Sequence, residues 1–172
     1  MTTSPAAEQG RVADVWRDRL ALLLESTGEG IFGIDMAGCC VFVNRSAARQ
    51  LGWPAEQIIG RNMHELIHHT HADGRHYPEC DCPIFNAFRR GLPCRIDDEV
   101  LWRADGTAFY AEYSSHPIVE HGQVQGAVVT FLDISERRRA QELQRVRELA
   151  QHQESVREAE RTRIAREIHD EL

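Results

Sequence analysis

The chain contains no lysine; all 20 of its basic residues are arginine. That absence assigns no function, but the charge balance excludes one. Against 27 acidic residues those arginines leave a formal charge of −7 at pH 7, the wrong sign for a surface that neutralises nucleic-acid phosphates. Long apolar runs are missing too. The best of them, residues 20–24, is far short of the roughly 20 residues that cross a bilayer. The N-terminus shows no signal-peptide pattern, so a cytoplasmic protein with no membrane segment is expected. In a reducing compartment, five cysteines point to free thiols or metal ligands before disulfides. No Cys-x-x-Cys-His occurs, which excludes covalently attached haem.

What is present supports one ordinary domain with helical extensions: 172 residues, 42% of them hydrophobic. Residues 1–10 are small and polar, and disorder is expected there. Across 11–27 Val12, Val15, Trp16, Leu20, Leu23 and Leu24 keep helical spacing, and Gly28 and Gly30 stop that amphipathic helix. Apolar runs at 31–35 and 41–44 flank a Gly38 turn and predict a hairpin. Short helices are expected at 45–51 and 54–59. A long irregular segment comes next over 63–82, then a helix over 83–90. Strands are expected at 97–102, 108–118 and 125–132, divided by the turn signals Asp105-Gly106 and His121-Gly122. Two strands, a group of small helices and three more strands predict an α+β fold. Its five-stranded antiparallel sheet would carry the helices on one face.

Several strings in this order carry a family likeness. They are Glu25-Ser-Thr-Gly-Glu-Gly-Ile-Phe-Gly-Ile-Asp35, Phe42-Val-Asn44, Leu51-Gly-Trp53, Trp102-Arg-Ala-Asp-Gly-Thr107 and Gly126-Ala-Val-Val-Thr-Phe-Leu-Asp-Ile-Ser-Glu-Arg137. Together they resemble a PAS sensor domain, here placed at 28–134. In that family the Asp133-Ile134-Ser135 triplet marks the exit from the last strand into a signalling helix. The charged stretch beyond it has Val146, Leu149, Gln153 and Val156 at coiled-coil spacing, which predicts a parallel homodimer over 135–159. From 160 the apolar residues step by four, a stutter that locally unwinds a supercoil.

Residues 160–172 hold Ile164, Ile168 and Leu172 on one helical face and His169-Asp170 on the charged remainder. An imidazole beside a carboxylate suits attack on phosphorus, the acid orienting the ring and taking its proton. The string Glu160-Arg-Thr-Arg-Ile-Ala-Arg-Glu-Ile-His-Asp170 resembles the phosphoacceptor box of two-component sensor histidine kinases. That likeness implies His169 as the phosphorylated residue, Asp170 as its acid-base neighbour, and a response regulator as partner. The ATP and Mg²⁺ needed would be bound by a catalytic domain that this chain does not include, so the chain is expected to be an inactive piece of a longer kinase. A dimerisation-only module is the alternative.

Between 64 and 94 lie five of the nine histidines and three of the five cysteines. Imidazole with thiolate suits zinc or iron, and a thiolate-rich set suits an iron–sulfur cluster. The candidate ligands are His68, His69, His71, Cys80, Cys82 and Cys94. The stretch His68-His-Thr-His-Ala-Asp-Gly-Arg-His-Tyr-Pro-Glu-Cys-Asp-Cys-Pro-Ile84 also resembles an insertion in a subset of bacterial PAS domains. Cys39, Cys40, Cys80 and Cys94 fall outside that shared pattern. Binding by the shared residues alone implies a mononuclear site; binding by the extra thiols implies a cluster. Two other readings stay open here, a buried Cys82 beside a solvated histidine loop and a thiol switch pairing Cys80 with Cys94. Of the wider family's cofactors, cysteinyl–flavin chemistry is unexpected because Met63 stands at the reactive position. Non-covalent FAD, haem b and a small organic ligand remain alternatives.

Overall fold

A computed structural model describes residue 19 and residues 22–170. The expected disorder at 1–10, most of the first helix and Leu172 lie outside those residues. Residues 22–26 are helical, and the chain divides into two compact units between Asp133 and Ile134.

The first unit is built on five antiparallel strands. They are β1 (Gly30–Asp35), β2 (Cys40–Val43), β3 (Cys94–Trp102), β4 (Ala108–Glu120) and β5 (Gln123–Asp133), in the order β2-β1-β5-β4-β3. Between β2 and β3 come α1 (Arg45–Leu51), α2 (Ala55–Ile58), α3 (Met63–Ile67), a 3₁₀ turn at Glu79–Asp81 and α4 (Pro83–Phe88). Period-two alternation gives the sheet one apolar face: Phe32, Ile34, Phe109, Ala111, Tyr113, Val129 and Phe131 all point into one core. Leu51, Ile58, Met63, Leu66, Phe85 and Phe88 close over it from the helices. The architecture is the expected α+β fold.

Local chemistry fixes the joins. Asn44 is fully buried and caps α1, its Oδ1 accepting from the N–H groups of Ala47 (2.8 Å) and Ile31 (2.9 Å). Its Nδ2 donates to the carbonyls of Leu24 and Glu29, so one amide ties the chain before β1 to α1. Arg103 makes a second tie. It donates to the Gln50 carbonyl (2.9 Å) and to Asp133 Oδ2 (2.6 Å), with its guanidinium 4.3 Å from the centre of the Phe109 ring.

Two differences from the sequence expectation shape the functional site. Residues 63–67, expected to be irregular, form α3: Asn62 Oδ1 accepts from Glu65 N, and Met63, Leu66 and Ile67 have a core to pack on. β3 starts at Cys94, three residues early, and carries a β-bulge between Ile96 and Glu99.

The second unit is a single helix, α5 (Ser135–Asp170). At 1.5 Å per residue it is roughly 54 Å long, and every residue from 139 to 166 is exposed within one chain. Among the described residues no helix is long and apolar enough to cross a membrane.

Candidate metal centre

The short α3 sets the geometry. His64 and His68 are four residues apart, at its first turn and at its C-cap, so their side chains leave on the same side. Both rings are buried and meet edge to face, centroids 5.5 Å apart. Pro83 opens α4 with the fixed φ that suits a first helical position, and the residue before it, Cys82, turns its thiol inward to 1% exposure. The β3 bulge shifts the alternation of its strand, so that Glu99 lies on the same side as Leu101 and reaches His68.

His64, His68 and Cys82 bring three ligand atoms within 4.8 Å of one another, all buried. The hydrogen bonds tell the ring nitrogens apart. His64 Nε2 is 2.8 Å from the Tyr77 carbonyl, which can only accept, so Nε2 carries the proton and Nδ1 keeps a free lone pair. That Nδ1 is buried with no partner. His68 Nδ1 is 3.3 Å from Cys82 Sγ. Its Nε2 lies 3.2 Å from Glu99 Oε2, off the line of a good hydrogen bond but close enough for an ion pair. Tyr113 Oη donates to the same Glu99 oxygen at 2.5 Å.

These groups hold charge on one another. Burial lowers the affinity of His68 for a proton, but the Cys82 and Glu99 contacts outweigh it and raise its pKa to about 9. Burial pushes the Cys82 thiol up, and the neighbouring His64 and His68 rings, with the His68 charge, bring it down to about 6. Glu99 is opposed by burial and held down by His68 and Tyr113, to about 2. Tyr113 and Tyr77 are pushed well up, by burial first and then by the Glu99 carboxylate. Without a metal these contacts favour a charged His68 ring between the Cys82 sulfur and the Glu99 carboxylate.

A divalent cation can take the place of the bridging proton. Metal–nitrogen and metal–sulfur bonds of about 2.0 and 2.3 Å in a tetrahedral site set nitrogen and sulfur about 3.5 Å apart, close to the 3.3 Å between His68 and Cys82. The more distant donors would have to close by about 1 Å. Both imidazoles already have the outer partner that usually orients a metal-bound histidine: a backbone carbonyl for His64 and a carboxylate for His68.

Of the six candidate ligands read from sequence, His68 and Cys82 belong to this cluster, and His64 joins them. The other four are engaged elsewhere or exposed. His69 Nδ1 is 2.6 Å from Thr70 Oγ1 and its ring stacks on Trp102. His71 stacks on Tyr77 at 3.9 Å. Cys80 is exposed, and Cys94 is half-buried in β3 with its sulfur accepting from the Ser115 backbone. Of the two cysteines in the first hairpin, Cys40 donates to the Phe42 carbonyl, and burial pushes its thiol up to about 11. His64 was findable: the i, i+4 spacing of two histidines is itself a signal once a helix is admitted there. His169 lies exposed near the end of α5, with Asp170 next to it in the helix.

The cluster borders a small cavity in the core. Phe32, Ile34, Leu101, Val129 and Phe131 line it together with His64, His68 and Cys82. It offers ≈ 10 Å³ to the centre of a water-sized molecule, room for about one such molecule. A flavin or porphyrin ring, which needs a pocket of roughly 300 Å³ or more, would require these aromatic side chains to move.

Comparison with known proteins agrees with this description of the first unit. A probable diguanylate cyclase of Escherichia coli K12, DgcE, is 29% identical over 124 residues, 72% of this chain and 11% of that protein. The chain thus spans about a tenth of that relative. The PAS domain of an HTR-like protein from Haloarcula marismortui superposes with a TM-score of 0.59 at 18% identity, over 74% of this chain and 99% of that one. A PAS domain from a two-component sensor histidine kinase gives 0.56 at 13% identity, over 70% and 98%. An RNA-binding light-oxygen-voltage receptor gives 0.63 at 23%, over 81% and 39%. At these identities the structures speak for the fold alone. The PAS-fold family model matches residues 18–134, more than half of the sequence, and the chain belongs to the PAS family of sensory domains.

Proposed function

We propose that this chain is the sensory and signal-transmitting part of a histidine kinase whose input is a single transition-metal ion held by His64, His68 and Cys82. The observation that carries the input is the gathering of three buried donors within 4.8 Å, one of them an imidazole nitrogen with no other partner. One thiolate with two imidazoles suits mononuclear iron or zinc. The iron–sulfur reading draws no support, because an all-cysteine cluster takes four thiolates and only Cys82 is among the three donors.

The output rests on the resemblance of residues 160–170 and on the exposure of His169. An imidazole nitrogen of His169 attacks the γ-phosphorus of ATP, the bond to the β-phosphate oxygen breaks, ADP leaves, and Asp170 takes the ring proton. The phosphoryl group then passes to an aspartate of a response regulator. A nucleotide-binding domain of the parent protein supplies the ATP. Between input and output, α5 exposes Leu143, Val146, Leu149 and Val156. A long helix with no core of its own supports pairing with a second copy.

The test is labelling of the full-length parent protein with radioactive ATP, metal-loaded and metal-stripped. The expected result is incorporation that His169→Gln abolishes and that changes severalfold on metal removal. Labelling that survives His169→Gln would sink the output assignment, and labelling indifferent to metal would sink the input.

A further inference from the structure

The metal reading leaves one coordination position unfilled, and its surroundings limit what can fill it. Resting on that reading, we propose that the fourth position of the His64–His68–Cys82 centre takes an uncharged ligand of one or two heavy atoms from the core cavity, and that this molecule is the stimulus.

Neighbouring donors that could close the site are committed elsewhere. Glu99 sits against His68 Nε2, the ring nitrogen opposite to the one facing Cys82, and the Tyr113 hydroxyl donates to its Oε2. Tyr77 Oη points to the Asp81 carbonyl, 3.5 Å away. Cys94 takes the Ser115 N–H. A centre with three protein donors and an open position has the make-up of a reactive or ligand-binding site; structural zinc sites are closed by four.

The cavity borders all three donor residues, and apart from them and Tyr113 its lining is apolar. Its ≈ 10 Å³ limits the ligand to about the size of one water. Charge narrows the choice further. The cavity wall is mostly hydrocarbon, so a neutral ligand enters without penalty and an anion would lose its hydration there at a large desolvation cost. A metal-bound water would find mostly hydrocarbon around it, so a neutral diatomic can displace it. On the outer side, Tyr77 and Glu99 line a groove of ≈ 250 Å³ with His71, Asp98 and Tyr110. The acids of that groove suit delivery of the cation as well.

Two probes of equal size and different charge test this. The whole chain, loaded with iron(II) without oxygen, is titrated with nitric oxide and separately with cyanide. Nitric oxide is expected to give the half-integer-spin resonance of an iron–nitrosyl unit at one equivalent, and cyanide to leave the spectrum unchanged. Val129→Leu, one methylene larger at the cavity wall, should keep its iron and bind nitric oxide about tenfold or more weakly. Iron that is bound through the three donors but silent to nitric oxide, or equally responsive to cyanide, overturns the proposal and leaves the metal reading standing. Iron uptake that is absent, or unchanged in both Cys82→Ala and His64→Ala, overturns both.

Discussion

His68 and His169 are the same side chain in opposite surroundings. The first is 2% exposed and wedged between a thiol, a carboxylate and two tyrosine rings. The second stands in solvent on a helix whose residues from 139 to 166 are all exposed within one chain. A buried ionisable ring persists only if its neighbours hold its charge, and those neighbours also fix where its nitrogens point. An exposed ring has no such direction, but it can be reached by a second molecule. Residue type therefore says little about role here; burial and the identity of the neighbours say most.

That contrast can be broken by experiment. The largest effect is expected from His68→Ala, which empties the space between the buried Cys82 and the half-buried Glu99 and removes the ring that both contact. Urea unfolding of the PAS unit should show a loss of about 3 kcal/mol, whereas His169→Ala should stay within about 0.5 kcal/mol. Equal losses would show that the two environments differ less than the geometry implies. A somewhat smaller effect is expected from Gly38→Ala. Gly38 has φ +77°, and a Cβ there would sit 2.0 Å from the Phe85 ring. Both strain and overpacking apply, at about 2 kcal/mol together; the midpoint of thermal unfolding reads it, and an unshifted midpoint contradicts the packing. The smallest perturbation is a thiol reagent at pH 8 on the metal-free protein. Cys80, exposed, should be labelled first, while Cys82 and Cys40 are shielded until denaturant is added, Cys40 doubly so because its thiol is held near 11. Mass spectrometry of the peptides checks the order; early labelling of Cys82 would mean that the core opens to solvent.

Much of the first unit was legible from the letters. Alternating runs and Gly turns predicted every strand, and Cys82 and His68 were candidates from chemistry alone. The rest depended on contacts between distant segments. α3 was hidden because two of its five residues, His64 and Glu65, are polar, and only the core built by the strands makes a turn of helix there worth forming. Glu99 gave no signal, since in an unbroken strand it would share a side with Asp97, which is exposed. One inserted residue between Ile96 and Glu99 turns the carboxylate beyond it inward, and nothing in the string Asp97-Asp98-Glu99 announces that bulge. The four unused candidates fail for a related reason. Spacing counts potential ligands, and the rings of Trp102 and Tyr77 had already claimed His69 and His71.

Arg103 has a mechanical consequence. Its one planar head grips the C-terminal end of α1 through Gln50, the flat of the Phe109 ring, and the last residue of β5 through Asp133. An ammonium group is a single point and could not keep all three directions at once. In a chain that has no lysine to put there, the guanidinium acts as a tie rod. A shift of α1 or of the β3–β4 hairpin pulls directly on the residue that precedes Ile134, the covalent start of the second unit. Slackening that rod would free the end of β5 while leaving the packed core in place.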